Sequence, residues 1–157
     1  MLQRIQTIYL AFAAIAGLLV FFFPLASFYN LNQGNYSFYV CAIQSLDPDP
    51  IVRFTKWITL PLILLMTLSL ILSLLTLILY KKRPLQLRLV AFNVMINIVF
   101  IVLVFFYYIS KIKAITLAEP AYGTGIVFPL ATLVFLIMAN RSIRKDEALV
   151  RSTERLR

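Results

Sequence analysis

The sequence contains no histidine, one cysteine and only four glycines in 157 residues. Without histidine, the chain lacks the commonest general base, proton relay and metal ligand. Because Cys41 has no second cysteine to pair with, an internal disulfide and CxxC redox chemistry are excluded. We expect Cys41 to be a small packing residue rather than a reactive thiol. These absences predict a protein that is not an enzyme and that uses no cofactor and no metal ion.

Charged residues are also scarce, and apolar residues take their place. Hydrophobic residues make up 62% of the chain and charged residues 13%, whereas soluble domains have about 45–50% and about 25%. A soluble protein of this length could not cover so much apolar surface. The composition therefore predicts a membrane protein.

Four apolar stretches have the length of about 20 residues that a helix needs to cross a bilayer. They run from about Ile5 to Ser27, from Trp57 to Tyr80, from Leu89 to Ile109 and from about Tyr122 to Asn140. The first is longer than the 7–15 apolar residues of a signal-peptide core, so we interpret it as a helix. The sequence predicts an all-α membrane protein, with a four-transmembrane-helix bundle over residues 1–140 and a basic cytoplasmic tail helix over residues 141–157.

Basic residues are distributed unevenly between the two sides of this predicted bundle. Eleven of the fifteen Lys and Arg fall on the side of the two chain ends and the second loop. They are Arg4, Lys81, Lys82, Arg83, Arg88, Arg141, Arg144, Lys145, Arg151, Arg155 and Arg157. Because cytoplasmic loops carry the excess of Lys and Arg, both chain ends should be cytoplasmic. We expect the loop cations Lys81, Lys82, Arg83 and Arg88 to contact lipid headgroups, and we expect no nucleic-acid partner.

The first loop is the only long segment on the opposite, outer side. Two aromatic runs, Phe28–Leu31 and Tyr36–Val40, flank the turn residues 32–35, a pattern that predicts a β-hairpin. This hairpin could be a cap that folds over the helices or a lid over a ligand site. Four aromatic residues would suit the headgroup level. They are Tyr29, Tyr36, Tyr39 and Trp57.

Polar residues within the apolar stretches are the candidates for intramembrane contacts. Asn93 and Asn97 share one face of the third helix, and an amide in hydrocarbon needs a partner. Ser69, Ser73 and Thr76 share one face of the second helix. These residues could form a polar step in a substrate or ion path, or they could hold helices together by hydrogen bonds. We favour the second interpretation because the spans contain no charged residue, and we expect both asparagines within one or two turns of the cytoplasmic end.

The basic tail is the candidate docking site for a protein partner. Its cations are Arg144, Lys145, Arg151, Arg155 and Arg157. Planar guanidinium groups suit the recognition of carboxylate or phosphate. The alternative is a solvated tail that only keeps the chain oriented.

Three segments resemble a known family. They are the opening Met1–Leu10, the loop Lys82–Arg88, and the tail residues Ala139–Glu147, Leu149–Ser152 and Arg155–Arg157. Together they are similar to a family of short bacterial membrane proteins, catalogued as domain of unknown function 4293. The resemblance covers essentially the whole chain and implies four helices in the inner membrane. It implies no reaction, cofactor or binding site.

Two function hypotheses follow. The first is a non-enzymatic accessory or scaffold subunit of an inner-membrane assembly, whose basic loop and tail engage lipid and a protein partner. The second is a small transport or lipophilic-ligand-binding protein with a cavity between its helices. A cavity that reached Asn93 and Asn97 would favour the second hypothesis, and a solid core would favour the first.

Overall fold

A computed structural model describes residues 3–30, 34–48, 52, 54–79 and 83–155 of the chain. Three short strands follow the first helix, and a fourth strand precedes the last helix. In order, the elements are α1 (Gln3–Leu19), β1 (Ala26–Asn30), β2 (Gly34–Phe38), β3 (Ile43–Ser45), α2 (Leu60–Ile78), α3 (Arg83–Val102), a π-helical segment (Leu103–Ile109), α4 (Ser110–Thr116), β4 (Pro120–Tyr122) and α5 (Val127–Arg155). The π-helical segment joins α3 to α4 without a break, so the three form one long helix.

Four helices pack side by side in a closed ring, in the order α1, α2, α3 and α5. Three of the described helices are long and apolar enough to cross a membrane: Trp57–Ile78, Pro84–Thr116 and Thr124–Ala148. Their outward faces are apolar as well. Phe106, for example, is 78% exposed and Met95 is 64% exposed. Such an exterior suits lipid, because water would penalise every exposed apolar side chain.

The first helix is shorter than the sequence predicts. It ends at Leu19, and Ala26 already belongs to β1, so the predicted helical stretch to Ser27 is wrong. Pro24 explains the end of the helix, since proline has no backbone N–H and disfavours helical geometry in the residue before it. The 17 residues of α1 reach about 25 Å, slightly less than a hydrocarbon core of about 30 Å.

The third helix is longer than the predicted span from Leu89 to Ile109. It begins at Arg83 and continues to Thr116. Arg88 and Lys111 are both exposed within it, and a charged side chain on an exposed face does not end a helix. Asn93 therefore lies ten residues from the start of α3, or about 15 Å. This is nearly three turns from the start of the helix.

The last helix begins at Val127 rather than at Tyr122, because residues 120–122 form β4. It then runs without interruption to Arg155. Pro129 lies in its first turn, where several backbone N–H groups have no partner within the helix. A proline there is tolerated.

The predicted hairpin is confirmed, and it forms the centre of a larger antiparallel sheet with strand order β3-β2-β1-β4. Phe28 faces Tyr36 and Ala26 faces Phe38 across the β1–β2 pair, and all four side chains are buried. This face of the sheet packs against Val104 and other residues near the end of the long third helix. The sheet therefore caps one end of the packed helices.

Two expectations about individual outer-loop residues are wrong. Tyr36 is fully buried, because its ring faces the helices and packs edge-on against Phe54 at 5.5 Å. Cys41 is exposed instead of packed. Tyr29 and Trp57 are exposed at 60% and 75%, as the headgroup level would require.

Candidate functional site

A buried polar seam joins α2 to α3. The side-chain amide of Asn93 donates one hydrogen bond to the backbone carbonyl of Ser69 at 3.1 Å and another to the hydroxyl of Ser73 at 2.8 Å. The amide of Asn97 donates to the Ser69 hydroxyl at 3.5 Å, a long and weak bond. Both asparagines are fully buried, so they lie in the protein interior and not on its surface.

Hydroxyl groups on α2 complete the seam by bonding to their own helix. Ser73 donates to the Ser69 carbonyl at 3.0 Å, and Thr76 donates to the Leu72 carbonyl at 2.6 Å. This back-bonding satisfies a hydroxyl donor without a partner from another helix. The structure thus brings Ser69 and Ser73 into contact with the two asparagines, whereas the Thr76 hydroxyl is used within α2.

The sequence analysis missed Gln86 as a member of the seam. Its side-chain amide donates to the backbone carbonyl of Thr76 at 3.2 Å, and the residue is 3% exposed. Gln86 precedes Asn93 by seven residues, so the two share a helix face. That spacing was the available signal, but the neighbouring Arg83 and Arg88 made the segment look like a solvated loop.

Four buried amide oxygens have no hydrogen-bond partner within the described part of the protein. They are Oε1 of Gln86 and the Oδ1 atoms of Asn93, Asn97 and Asn140. All four are acceptors, and three come from one face of α3. The polar interior can therefore accept hydrogen bonds that its own donors do not supply.

A second buried polar contact ties α1 to α5. The side-chain amide of Gln6 donates to the carboxylate of Asp146 and, at 3.5 Å, to the backbone carbonyl of Ser142. Gln6 and Asp146 are 8% and 7% exposed. Sequence analysis assigned no role to this pair, since Asp146 sits among basic residues that resemble a solvated tail. The first two turns after Asn140 are therefore packed against α1.

The opposite face of the same part of α5 is basic. Arg141, Arg144 and Lys145 are exposed, while Ile143 and Asp146 are buried. At 3.6 residues per turn, the positions of Arg151 and Arg155 fall on the face of Arg144. The five basic positions cover about 120° of the helix circumference. We call them the basic face: Arg141, Arg144, Lys145, Arg151 and Arg155.

The structure describes only some of the other predicted contact residues. Arg83 begins α3, and Arg88 is exposed one turn later. Lys81, Lys82 and Arg157 lie outside the described residues. Across the described ranges, no three His, Cys, Asp or Glu side chains are grouped closely enough to hold a metal ion.

Three cavities in the described residues lie away from the seam. A small apolar cavity of about 10 Å³ lies between α3, the π-helical segment and the start of α5, near Phe100 and Pro129. Two open grooves of about 460 and 470 Å³ lie along the π-helical segment and α4. Neither Asn93 nor Asn97 lines any of the three.

The fold defines a mainly helical protein with three helices able to cross a membrane and a small sheet at one end. A family model described as a domain of unknown function, DUF4293, matches residues 2–156. The chain belongs to this family. No curated protein matches it.

Proposed function

We propose that the protein is a non-enzymatic accessory or scaffold subunit of a bacterial inner-membrane assembly. In this proposal α1 crosses the membrane together with the three longer helices, and both chain ends lie in the cytoplasm. The basic loop before α3 contacts lipid headgroups. The basic face of α5 docks a soluble or peripheral partner that presents carboxylate or phosphate groups.

The single observation that carries the proposal is the separation of charge on α5. The positions of Glu147 and Glu154 fall outside the arc of the basic face, and Asp146 points the opposite way, into the contact with Gln6. A tail that only anchored the last span would need a few cations near the headgroups. Instead, Arg155 lies 15 residues beyond Asn140, or about 22 Å along the helix.

That distance weakens any purely lipid role for the far end of the helix. The Debye length at physiological salt is about 8 Å, so headgroup charge would hold Arg151 and Arg155 only weakly if the helix projects from the membrane. Guanidinium groups in a row can bind carboxylates or phosphates in pairs of parallel hydrogen bonds. A protein partner is therefore the better match.

The test is co-purification from native membranes in mild detergent, followed by mass spectrometry. Deleting residues 149–157 should leave membrane insertion and thermal stability intact and should remove the specific partner. A second variant tests the position of the charges and not their number. It exchanges Glu154 and Arg155 (E154R/R155E), which keeps composition and net charge but moves one cation off the basic face. This exchange should weaken partner recovery.

Unchanged recovery with the truncated protein would overturn the docking proposal. So would the absence of any specific partner of the full-length protein.

A small transport protein is the second candidate, and one observation favours it. The amide oxygens of Gln86, Asn93 and Asn97 line one helix face with acceptor capacity to spare. A polar path would use such groups for water or a cation. Cation flux in proteoliposomes, abolished by Asn93→Leu, would support this candidate over the first.

A further inference from the structure

A groove opens on the surface of the protein, between the start of α2 and the π-helical segment. It encloses about 470 Å³. Its walls are apolar or aromatic, and among the described residues that line it only Lys111, at one end, is charged. The lining residues are Ile58, Pro61, Leu103, Tyr107, Tyr108 and Lys111. Single turns of π-helix frequently mark functional sites, because they displace side chains from the regular helical register.

The floor of the groove is rigid. The Tyr108 hydroxyl donates to the backbone carbonyl of Ile58 at 2.7 Å, which fixes the long third helix to the turn before α2. Below it, the Tyr108 ring stacks on Phe38 of the sheet with the ring centroids 5.8 Å apart. The groove therefore does not depend on a ligand to hold its shape.

The rim of the groove carries a cation with spare binding capacity. The Lys111 ammonium donates to the Tyr107 hydroxyl at 3.2 Å and lies 5.2 Å from the centre of that ring. Two residues later, Lys113 forms a salt bridge with Glu119 at 2.7 Å. Lys111 forms none with any residue that the structure describes. Its remaining N–H donors are free to meet an anionic group.

The position of the groove along the helix axis coincides with the edge of an apolar layer. Pro61 lies 17 residues before Ile78, the last residue of α2, and this length corresponds to about 25 Å. A hydrocarbon core is about 30 Å thick. Trp57, 75% exposed, lies at the same end of the helix. Trp and Tyr are enriched where acyl chains meet headgroups.

We propose that this groove binds one phospholipid. The phosphate accepts hydrogen bonds from the Lys111 ammonium and the Tyr107 hydroxyl, and an acyl chain lies along Ile58, Pro61 and Leu103. An amphiphile fits because the polar groups stand at one end only. An extended protein segment would need hydrogen-bond partners for its backbone along the whole groove, and the side chains of Ile58, Pro61 and Leu103 offer none.

The experiment uses the full chain in detergent, with bound lipid counted by native mass spectrometry. The probe is phosphatidylglycerol, and the comparison is a diacylglycerol with the same acyl chains but no phosphate. The wild-type protein should retain phosphatidylglycerol in preference to diacylglycerol. Lys111→Gln should lower retention about tenfold, since a charge-assisted hydrogen bond is lost.

Lys113→Gln is the matched control. It removes the same charge from an exposed lysine two residues away, and retention should stay at the wild-type level. Tyr107→Phe keeps the ring and removes one donor, so it should give an intermediate loss.

Three outcomes would overturn the proposal. Equal retention by the Lys111→Gln and Lys113→Gln proteins would show that Lys111 recognises nothing. Equal binding of diacylglycerol would show an apolar surface without a phosphate site. Full competition by water-soluble glycerophosphoglycerol at equal concentration would show that the site takes free phosphate esters rather than a lipid.

Discussion

The carboxylate of Asp146, near the far end of the last helix, accepts a hydrogen bond from the side-chain amide of Gln6, near the start of the first. The two residues are 140 positions apart in the chain, and both are buried. This contact joins the beginning of α1 to the segment of α5 that carries the basic face. It fixes the direction in which that face points, because Asp146 and Arg144 lie on different sides of one helix.

Replacing Asp146 by alanine should therefore destabilise the protein. The change leaves the buried Gln6 amide without its carboxylate acceptor, at a cost of about 1–3 kcal/mol. Thermal unfolding of the purified protein in detergent would measure it. Lys145→Ala removes an exposed side chain from the neighbouring position and should leave the unfolding temperature nearly unchanged. Equal shifts for the two variants would mean that the Gln6–Asp146 contact does not stabilise the fold.

Asn93 should contribute more to stability than Asn97, although the two residues are alike by type, burial and helix face. Asn93 donates at 2.8 and 3.1 Å, whereas the bond donated by Asn97 is 3.5 Å long. Asn93→Leu should cost about 1–2 kcal/mol, as hydrogen bonds between membrane helices do in model peptides. Asn97→Leu should cost less.

A double-mutant cycle between Asn93→Leu and Ser73→Ala isolates the shorter bond. Its coupling free energy should be near 0.6 kcal/mol, an average value for such bonds. A coupling energy of zero would contradict the predicted contribution of that bond.

Gly125 should not tolerate a side chain, whereas Gly17 should. A Cβ atom on Gly125 would lie 2.5 Å from the backbone oxygen of Pro24 and 2.6 Å from that of Phe23. On Gly17 it would meet the flexible end of Met66 at 3.4 Å. Gly125→Ala should destabilise by about 1–3 kcal/mol, as overpacking does. Gly17→Ala should be neutral or stabilising, because alanine favours the helix by about 1 kcal/mol.

Unfolding temperatures of the two glycine variants give the comparison directly. If Gly125→Ala melts at the wild-type temperature, the close approach of the Gly123–Gly125 segment to Phe23 and Pro24 is not a constraint on the fold.

Cys41 provides a native probe of orientation. Its side chain is exposed at the sheet end of the molecule, which the Lys and Arg distribution predicts to be outside. A membrane-impermeant maleimide should label Cys41 in spheroplasts without permeabilisation. In a Cys41→Ser background, Ser152→Cys should be labelled only after permeabilisation. The reverse pattern would invert the predicted topology.

The apolar stretches of the sequence predicted the helices, because a run of about 20 apolar residues has few other stable forms in lipid. They predicted the ends of those helices poorly. Hydropathy does not distinguish Phe12 in a helix from Phe28 in a strand. The end of α1 depends on Pro24 and on the pairing of the following strand, β1, with β2. Likewise, Tyr122 belongs to a strand because β1 offers it a partner.

The polar seam was predictable in part. The four-residue spacings of Ser69 and Ser73 and of Asn93 and Asn97 require shared helix faces, and burial of an amide requires a partner. The identity of each partner depends on the relative height of α2 and α3, which no local pattern encodes. Gln86 was missed because its segment, between Arg83 and Arg88, resembled a solvated loop.

Composition and apolar length by themselves determined that the chain is mainly helical, with three described helices long and apolar enough to cross a membrane. The aromatic runs around a turn likewise determined the hairpin that follows the first helix. These properties are local. Each segment must provide hydrogen-bond partners for its own backbone groups, and its side chains must suit the polarity of their surroundings. The four-stranded sheet, the Gln6–Asp146 contact and the groove beside Tyr107 depend on the tertiary structure. Each brings together residues distant in sequence, and only the packing of the helices sets the distances between them.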